Sequence, residues 1–261
     1  MKTLKQILTG VVASLLLFAG TEAMAVPVGV ELAVVIDSSG SITNTEFEAQ
    51  MQGYVNAFSD VDIQDRIEGI AGGFAVKLFF SSSAIGSIEA LLVTATDAMN
   101  FATAIDAIAR LGTIGARTNI VAAMKLANTW LTGNDKEGGA LVMDVSGDGD
   151  QNVNIGGYTN DQAGRDEAVR DQRDLATAAG IIVNGLAVDD GSFQDACLAG
   201  GYYTDNVVNN ACVQSTGFES GDFDAAVKDK FIKDVTVPEH ATLALFGLGL
   251  AGLSLRKRKL A

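Results

Sequence analysis

The sequence contains a single histidine, His240, and it falls in the last 25 residues of the 261-residue chain. The remainder therefore offers no Ser-His-Asp or Cys-His arrangement, which excludes hydrolysis by a nucleophile activated in that way. No Gly-rich loop ends in Gly-Lys-Ser/Thr, so P-loop nucleotide hydrolysis is excluded as well. Cations are scarce: 18 Lys and Arg stand against 32 Asp and Glu, a formal net charge of −14. That balance argues against nucleic acid or an anionic membrane surface as partner, and it favours solubility and the attraction of cations. No apolar run reaches the ~20 residues of a comfortable helical membrane span. Cysteine is limited to Cys197 and Cys212.

Both ends of the chain read as addresses. Lys2 and Lys5 precede an apolar run from Ile7 to Gly20, and Ala23-Met24-Ala25 supplies the small-x-small pattern of a signal-peptidase site. Residues 1–25 are therefore expected to be a signal peptide. At the other end Val237-Pro238-Glu239 is followed by an uncharged stretch, Ala241 to Leu255, and then by Arg256-Lys257-Arg258-Lys259. The basic cluster would hold the C-terminus on the cytoplasmic side of a membrane. Segment 237–261 resembles the PEP-CTERM sorting signal, with His240 where a second proline is usual. The resemblance implies processing by an exosortase-type enzyme in a Gram-negative bacterium. It also implies a destination at the cell surface, outer envelope or extracellular matrix, with membrane contact only through this segment before processing.

Residues 26–236 fit one domain with a sizeable core. Removing the two ends leaves 12 Lys and Arg against 30 Asp and Glu, a net charge near −18. In an exported chain a Cys197–Cys212 disulfide is the default reading, and its loop of about 16 residues would stabilise the fold by about 3 kcal/mol. A two-cysteine metal site is the alternative, and it lacks a His or further Cys to complete it.

Within this region apolar runs alternate with amphipathic segments, the pattern of an α/β, doubly wound, mostly parallel sheet with helices on both faces. Glu31–Asp37 reads as a central parallel strand, and Phe47, Met51, Tyr54, Val55 and Phe58 recur at helical spacing. Phe74–Phe80 and Ile88–Val93 read as an antiparallel edge pair around a Ser81-Ser82-Ser83 turn. Asp97 is the expected N-cap of a helix bearing Phe101, Ile105 and Ile108. Further helices are expected around Ile120–Leu131, over Asp166–Ala179 and around Phe223–Phe231, and further strands over Ala140–Val145 and Ile181–Val188. Gly147–Gly164 and Asp189–Gly221 read as long loops. The first lies beyond a strand C-terminus, where sheets of this kind bind ligands.

At the end of the first strand stands Asp37-Ser38-Ser39-Gly40-Ser41. Oxygens two residues apart at Asp37, Ser39 and Ser41 can fold around one small hard cation, with Gly40 relieving the turn. Two more oxygen donors, Thr118 before a helix and Asp148 after a strand, belong to loops expected to converge there. This set, in this order, resembles the metal-ion-dependent adhesion site of von Willebrand factor A (VWA) domains, and the resemblance extends over nearly all of residues 28–235. It implies that Asp37, Ser39, Ser41, Thr118 and Asp148 are metal-site residues, some acting through water. Gly147 departs from the pattern, since a Thr or Ser commonly precedes this Asp. The expected ion is Mg²⁺, with Mn²⁺ or Ca²⁺ as alternatives.

Three of those groups are neutral hydroxyls, so a bound dication would remain under-neutralised and attract a carboxylate from a partner protein or matrix component. The expected function is thus an exported, non-enzymatic, metal-dependent adhesion module. Bland readings compete at each position: Asp37, Ser39 and Ser41 as turn residues, and Thr118 as a helix cap. An EF-hand beginning at Asp148 fails because Val153 and Thr159 occupy its sixth and twelfth positions, though Asp150 and Asn152 leave a second Ca²⁺ site open. The enzymatic alternative resembles a haloacid-dehalogenase-type phosphatase with Asp37 as nucleophile, Thr118 on phosphate and Asp189-Asp190 on Mg²⁺. It lacks an acid/base group at Ser39. A structural surface protein with a vestigial metal site is the remaining alternative.

Overall fold

The apolar run before Asp37 forms β1 (Val26–Ile36), at the middle of a six-stranded sheet in the computed structural model. The structure describes residues 25–81, 87–108, 117–218 apart from 190, 192 and 194, and 221–235. Residues 1–24 of the expected signal peptide, the sorting segment with Val237, Pro238 and Glu239, and Ser82 and Ser83 of the turn lie outside them.

The other strands are β2 (Phe74–Phe80), β3 (Glu89–Leu92), β4 (Lys136–Gly147), β5 (Ile182–Val188) and β6 (Cys212–Ser215). Their order is β3-β2-β1-β4-β5-β6. All neighbours run parallel except β2 and β3, which make the expected antiparallel edge pair. The chain leaves β1 for β2 on one side and returns to β4 on the other. The β1–β4 boundary is therefore the topological switch point, where loops diverge and a crevice opens beyond the strand ends.

Strand β1 is buried on both sides, which its unbroken apolar run already demanded. Val30, Leu32, Val34 and Ile36 face a layer made by α1 (Asn44–Ser59), α2 (Val61–Glu68), α3 (Ala95–Asp106) and α6 (Gly221–Val235). Ala33 and Val35 face the opposite layer, made by α4 (Ile120–Gly133) and α5 (Gln162–Ala178). In the first layer Phe58 packs edge-on against both Phe101 and Phe231, with ring centroids 5.0 and 4.9 Å away. Contacts of this geometry lock three helices together.

Helix starts follow local chemistry. Thr43 accepts from the Glu46 N–H at 3.2 Å while Glu46 accepts from the Thr43 N–H at 2.7 Å, a reciprocal capping box opening α1. The same device corrects one expectation: α3 is capped by Thr94, and Asp97 is the third helical residue that reaches back to the Thr94 N–H. Threonine wins because the pair satisfies two otherwise unpaired N–H groups. Two elements had no counterpart in the sequence reading. One is α2, capped by Asp60, and the other is β6, inside the expected second loop.

That loop is held by the Cys197–Cys212 disulfide, with Cα atoms 5.3 Å apart, and contains one π-helical turn, Tyr203–Val207. In the first layer, beneath α6, an ionic cluster is sealed in. Lys230 on α6 pairs with Asp144 on β4 and lies 3.4 Å from Asp234, and Asp234 also accepts from Asn184 at 2.6 Å. Burial, above all, pushes the Asp144 carboxyl up to about 7, against the opposing pull of Lys230.

Lys230→Met should destabilise the domain by about 3–5 kcal/mol in denaturant unfolding, because it strands two buried acids without their cation. Replacing both cysteines by serine should lower stability by about 3 kcal/mol in the same assay.

Candidate functional site

The hydrogen bond from the Asp37 N–H to the Ser146 carbonyl, 2.9 Å, continues the β1–β4 ladder one step past the end of β1. It sets the loop after β1 beside the loop after β4, so Asp37 and Asp148 both point into the switch-point crevice. The two carboxyl groups lie within hydrogen-bond reach of one another. Both residues are buried, with relative exposures of 2% and 4%.

The three expected hydroxyls join them. Thr118 Oγ1 donates to Ser39 Oγ at 3.0 Å, Ser39 Oγ lies 2.9 Å from Ser41 Oγ, and Ser41 Oγ donates to Asp148 Oδ1 at 3.0 Å. All five residues singled out in the sequence thus meet at one place. Ser39 and Thr118 are buried and Ser41 is exposed, so the cluster opens to solvent on the Ser41 side. The bland readings are resolved in part by the same contacts. Asn119, not Thr118, caps α4 by accepting from the Ala122 N–H, which leaves the Thr118 hydroxyl for the cluster. Asp37 does make a turn, accepting from the Ser39 N–H at 2.9 Å, but only through Oδ1.

Supporting residues that the sequence did not flag hold this geometry. Ser81, at the end of β2, donates to Asp37 Oδ1 at 2.6 Å and accepts from the Ser38 N–H at 3.1 Å. Its position just past an apolar strand on the same sheet edge was the available signal. Fully buried Gln151 ties the loop after β4 to the start of α4. Its side chain accepts from the Val121 N–H at 3.2 Å and donates to Val153 and Asn119. Asn152 donates to the Thr118 carbonyl at 3.2 Å through its backbone and reaches the Thr118 hydroxyl at 3.4 Å through its amide. Asp150 feels Asp166 and Arg165 nearby, and burial raises its carboxyl above the ordinary range.

Asp37 carries the electrostatic tension. Burial raises its carboxyl pKa, while hydrogen bonds led by the one from Ser81 work in the other direction. Oδ2 is buried and receives no hydrogen bond among the described residues. A buried carboxylate oxygen without a donor is expensive, and in native proteins such a group calls for a partner. The donor set around it, two carboxylates and three hydroxyls, is hard oxygen throughout, which suits Mg²⁺, Mn²⁺ or Ca²⁺ and not a soft metal. The residues therefore fit a divalent ion. No group of three or more His, Cys, Asp or Glu able to hold a metal occurs among the described residues, and the acidic members of this cluster are Asp37 and Asp148.

Comparison with known proteins agrees with the architecture. The family described as "Protein of unknown function (DUF1194)" matches residues 27–239, and the PEP-CTERM protein-sorting motif matches residues 236–259. No curated protein matches the sequence. Among solved structures, the pilus adhesin SpaC from Lactobacillus rhamnosus GG superposes with a TM-score of 0.54 at 15% identity, over 79% of this chain. This chain spans only 30% of that adhesin. The vWF domain of the type V pili tip protein Mfa5 from Porphyromonas gingivalis gives 0.53 at 12% identity, covering 80% of this chain and 96% of that one. The PilB minor pilin from Streptococcus sanguinis gives 0.51 at 11% identity, covering 81% and 64%. At these identities the likeness is one of fold. No helix among the described residues is long and apolar enough to cross a membrane. With a VWA-type sheet and a PEP-CTERM export and sorting signal, the chain belongs to the DUF1194 family.

Proposed function

We propose that this protein is an exported adhesion module that grips a partner through one divalent cation. Asp37, Ser39, Ser41, Thr118 and Asp148 hold the ion, Mg²⁺ first and Mn²⁺ or Ca²⁺ as alternatives. The observation that carries the reading is Asp37 Oδ2, buried without a donor and set beside a second carboxyl group and a chain of three hydroxyls. When bound, the ion supplies a Lewis-acidic, under-neutralised centre that favours an anionic oxygen from outside. The protein's own residues select that oxygen by charge. Only two carboxylates face the ion, and the opening lies at exposed Ser41, so an incoming Asp or Glu side chain is the chemically matched ligand.

Nothing in this arrangement is equipped to turn a substrate over. Position 39, two residues beyond Asp37, carries a serine whose hydroxyl is engaged by Thr118 and Ser41, not an acid or base. The sole histidine, His240, lies in the sorting segment. The sorting motif supports processing by an exosortase-type enzyme and residence at the surface or in the extracellular matrix of a Gram-negative bacterium. The fold likeness to pilus tip and adhesin proteins supports a protein or matrix component as partner.

Calorimetric titration of Mg²⁺ or Mn²⁺ into the protein should give a saturable single-site isotherm that Asp37→Ala abolishes. Free Mg²⁺ at a hundred times its Kd should stabilise the fold by about 2.7 kcal/mol; identical isotherms for the two proteins would remove the site. In pull-downs from the producing organism's envelope fraction, EDTA should release the partner, and retention in EDTA would refute metal-dependent binding.

A further inference from the structure

Three of the four tyrosines have identified hydroxyl partners. Tyr54 meets Ser146 at 2.8 Å, Tyr158 donates to Asp171 at 2.5 Å, and Tyr202 accepts from the Gln151 N–H at 2.9 Å. Tyr203 is the exception: its ring is fully buried, and its hydroxyl has no partner among the described residues. A buried hydroxyl left unpaired costs about 1–3 kcal/mol, so its placement needs a reason.

The reason lies in where the hydroxyl points. A Cβ built on Gly147 would fall 3.0 Å from Tyr203 Oη, 3.1 Å from Asp37 Oδ2 and 2.8 Å from Asp37 Cβ. The donor without an acceptor and the acceptor without a donor therefore flank the same bare α-carbon. A second glycine makes room for the ring. On β5 a Cβ at Gly185 would meet Tyr203 Cδ1 at 2.8 Å. Gly147 and Gly185 stand on neighbouring strands, two ladder steps apart. Burial first, then the charge of Asp37, holds the phenol proton firmly in place, so the group is a donor at physiological pH.

Resting on the metal-site reading above, we infer that Tyr203 is a positioning residue for the ion: the two groups are not hydrogen-bonded here, and in the ion-loaded site the hydroxyl is the donor available to Asp37 Oδ2 across Gly147, orienting that carboxylate. The residue is delivered by the stapled loop. Its backbone N–H donates to the Ala196 carbonyl at 3.0 Å, beside Cys197, and the π-turn it begins is tied to α5 by Arg170 to Asn206 at 2.6 Å and by Arg173 to the Asp205 carbonyl at 2.8 Å. The loop therefore holds the hydroxyl beside Gly147.

The test compares full-length wild type with Tyr203→Phe, which removes one oxygen and keeps the ring. Mg²⁺ is titrated calorimetrically while the near-ultraviolet tyrosine difference spectrum is followed, and thermal midpoints are measured in EDTA. Wild type should bind with a tyrosine difference band. Tyr203→Phe should lose that band and bind about tenfold more weakly, in the range expected for loss of a group that orients a ligand. Its midpoint in EDTA should be unchanged or higher, since an unpaired buried hydroxyl has gone. Tyr158→Phe, remote from the site, should keep the band. Binding by Tyr203→Phe within twofold of wild type overturns this inference alone. So does weakened binding that tracks a lower midpoint in EDTA, because the role would then be structural. A wild type that binds no Mg²⁺ removes the metal site itself, and this inference with it.

Discussion

Two carboxyl groups held side by side in a buried crevice are the constraint from which the site's other features follow. Water would screen their repulsion, but Asp37 and Asp148 are both nearly inaccessible, so the fold has to offset it. Part of the offset is local. Ser81, after β2, and the Ser39 backbone and Ser41 hydroxyl, after β1, donate to the pair, and Thr118 supports them through Ser39. The remainder is left over at Asp37 Oδ2. A site completed by its own Lys or Arg would be inert, whereas on the proposed function the charge missing here is supplied by an external ion.

The sheet supplies the precision. Because β1 and β4 are hydrogen-bonded parallel neighbours through Ile36 and Ser146, the residues after them cannot drift apart without breaking a ladder shared over most of both strands. Tyr54 reaches across from α1 to Ser146, and Gln151 clamps the loop after β4 to α4. Helices from both layers thereby converge on one crevice. The buried Lys230 cluster lies on the same strand β4, at Asp144, four residues before Asp148, so a second set of charges anchors the strand that presents the acid.

Much of this was legible in the sequence wherever a single period dominated. The uninterrupted apolar run of β1, the helical stripe of Phe47, Met51, Tyr54 and Phe58, and Gly180 after α5 each allow one reading. The five oxygen donors were legible because each sits where an element ends, and their order matches a known pattern. What escaped is decided by contacts remote in sequence. Helix α2 buries only Ile63 and Ile67, too little for a periodicity to show. Strand β6 is half-buried over three of its four residues and owes its extended form to pairing with β5. Ser81 and Tyr203 are invisible for the same reason, since each acquires its role from Asp37, more than forty residues away. The Asp97 cap was a different failure. Thr94 three residues earlier completes a capping box, and the local signal favoured it.

The two outer strands, β3 and β6, are each four residues long, and Glu89 on β3 is clasped by Lys77 and Lys136. Short margins, one of them carrying a paired charge, offer a neighbouring molecule almost no free main-chain ladder to extend. A protein crowded onto an envelope or into a matrix gains from this, because copies at high local density resist zipping into fibrils. On the proposed function, attachment is then left to side-chain chemistry at the crevice, which an ion can gate and a stray backbone cannot.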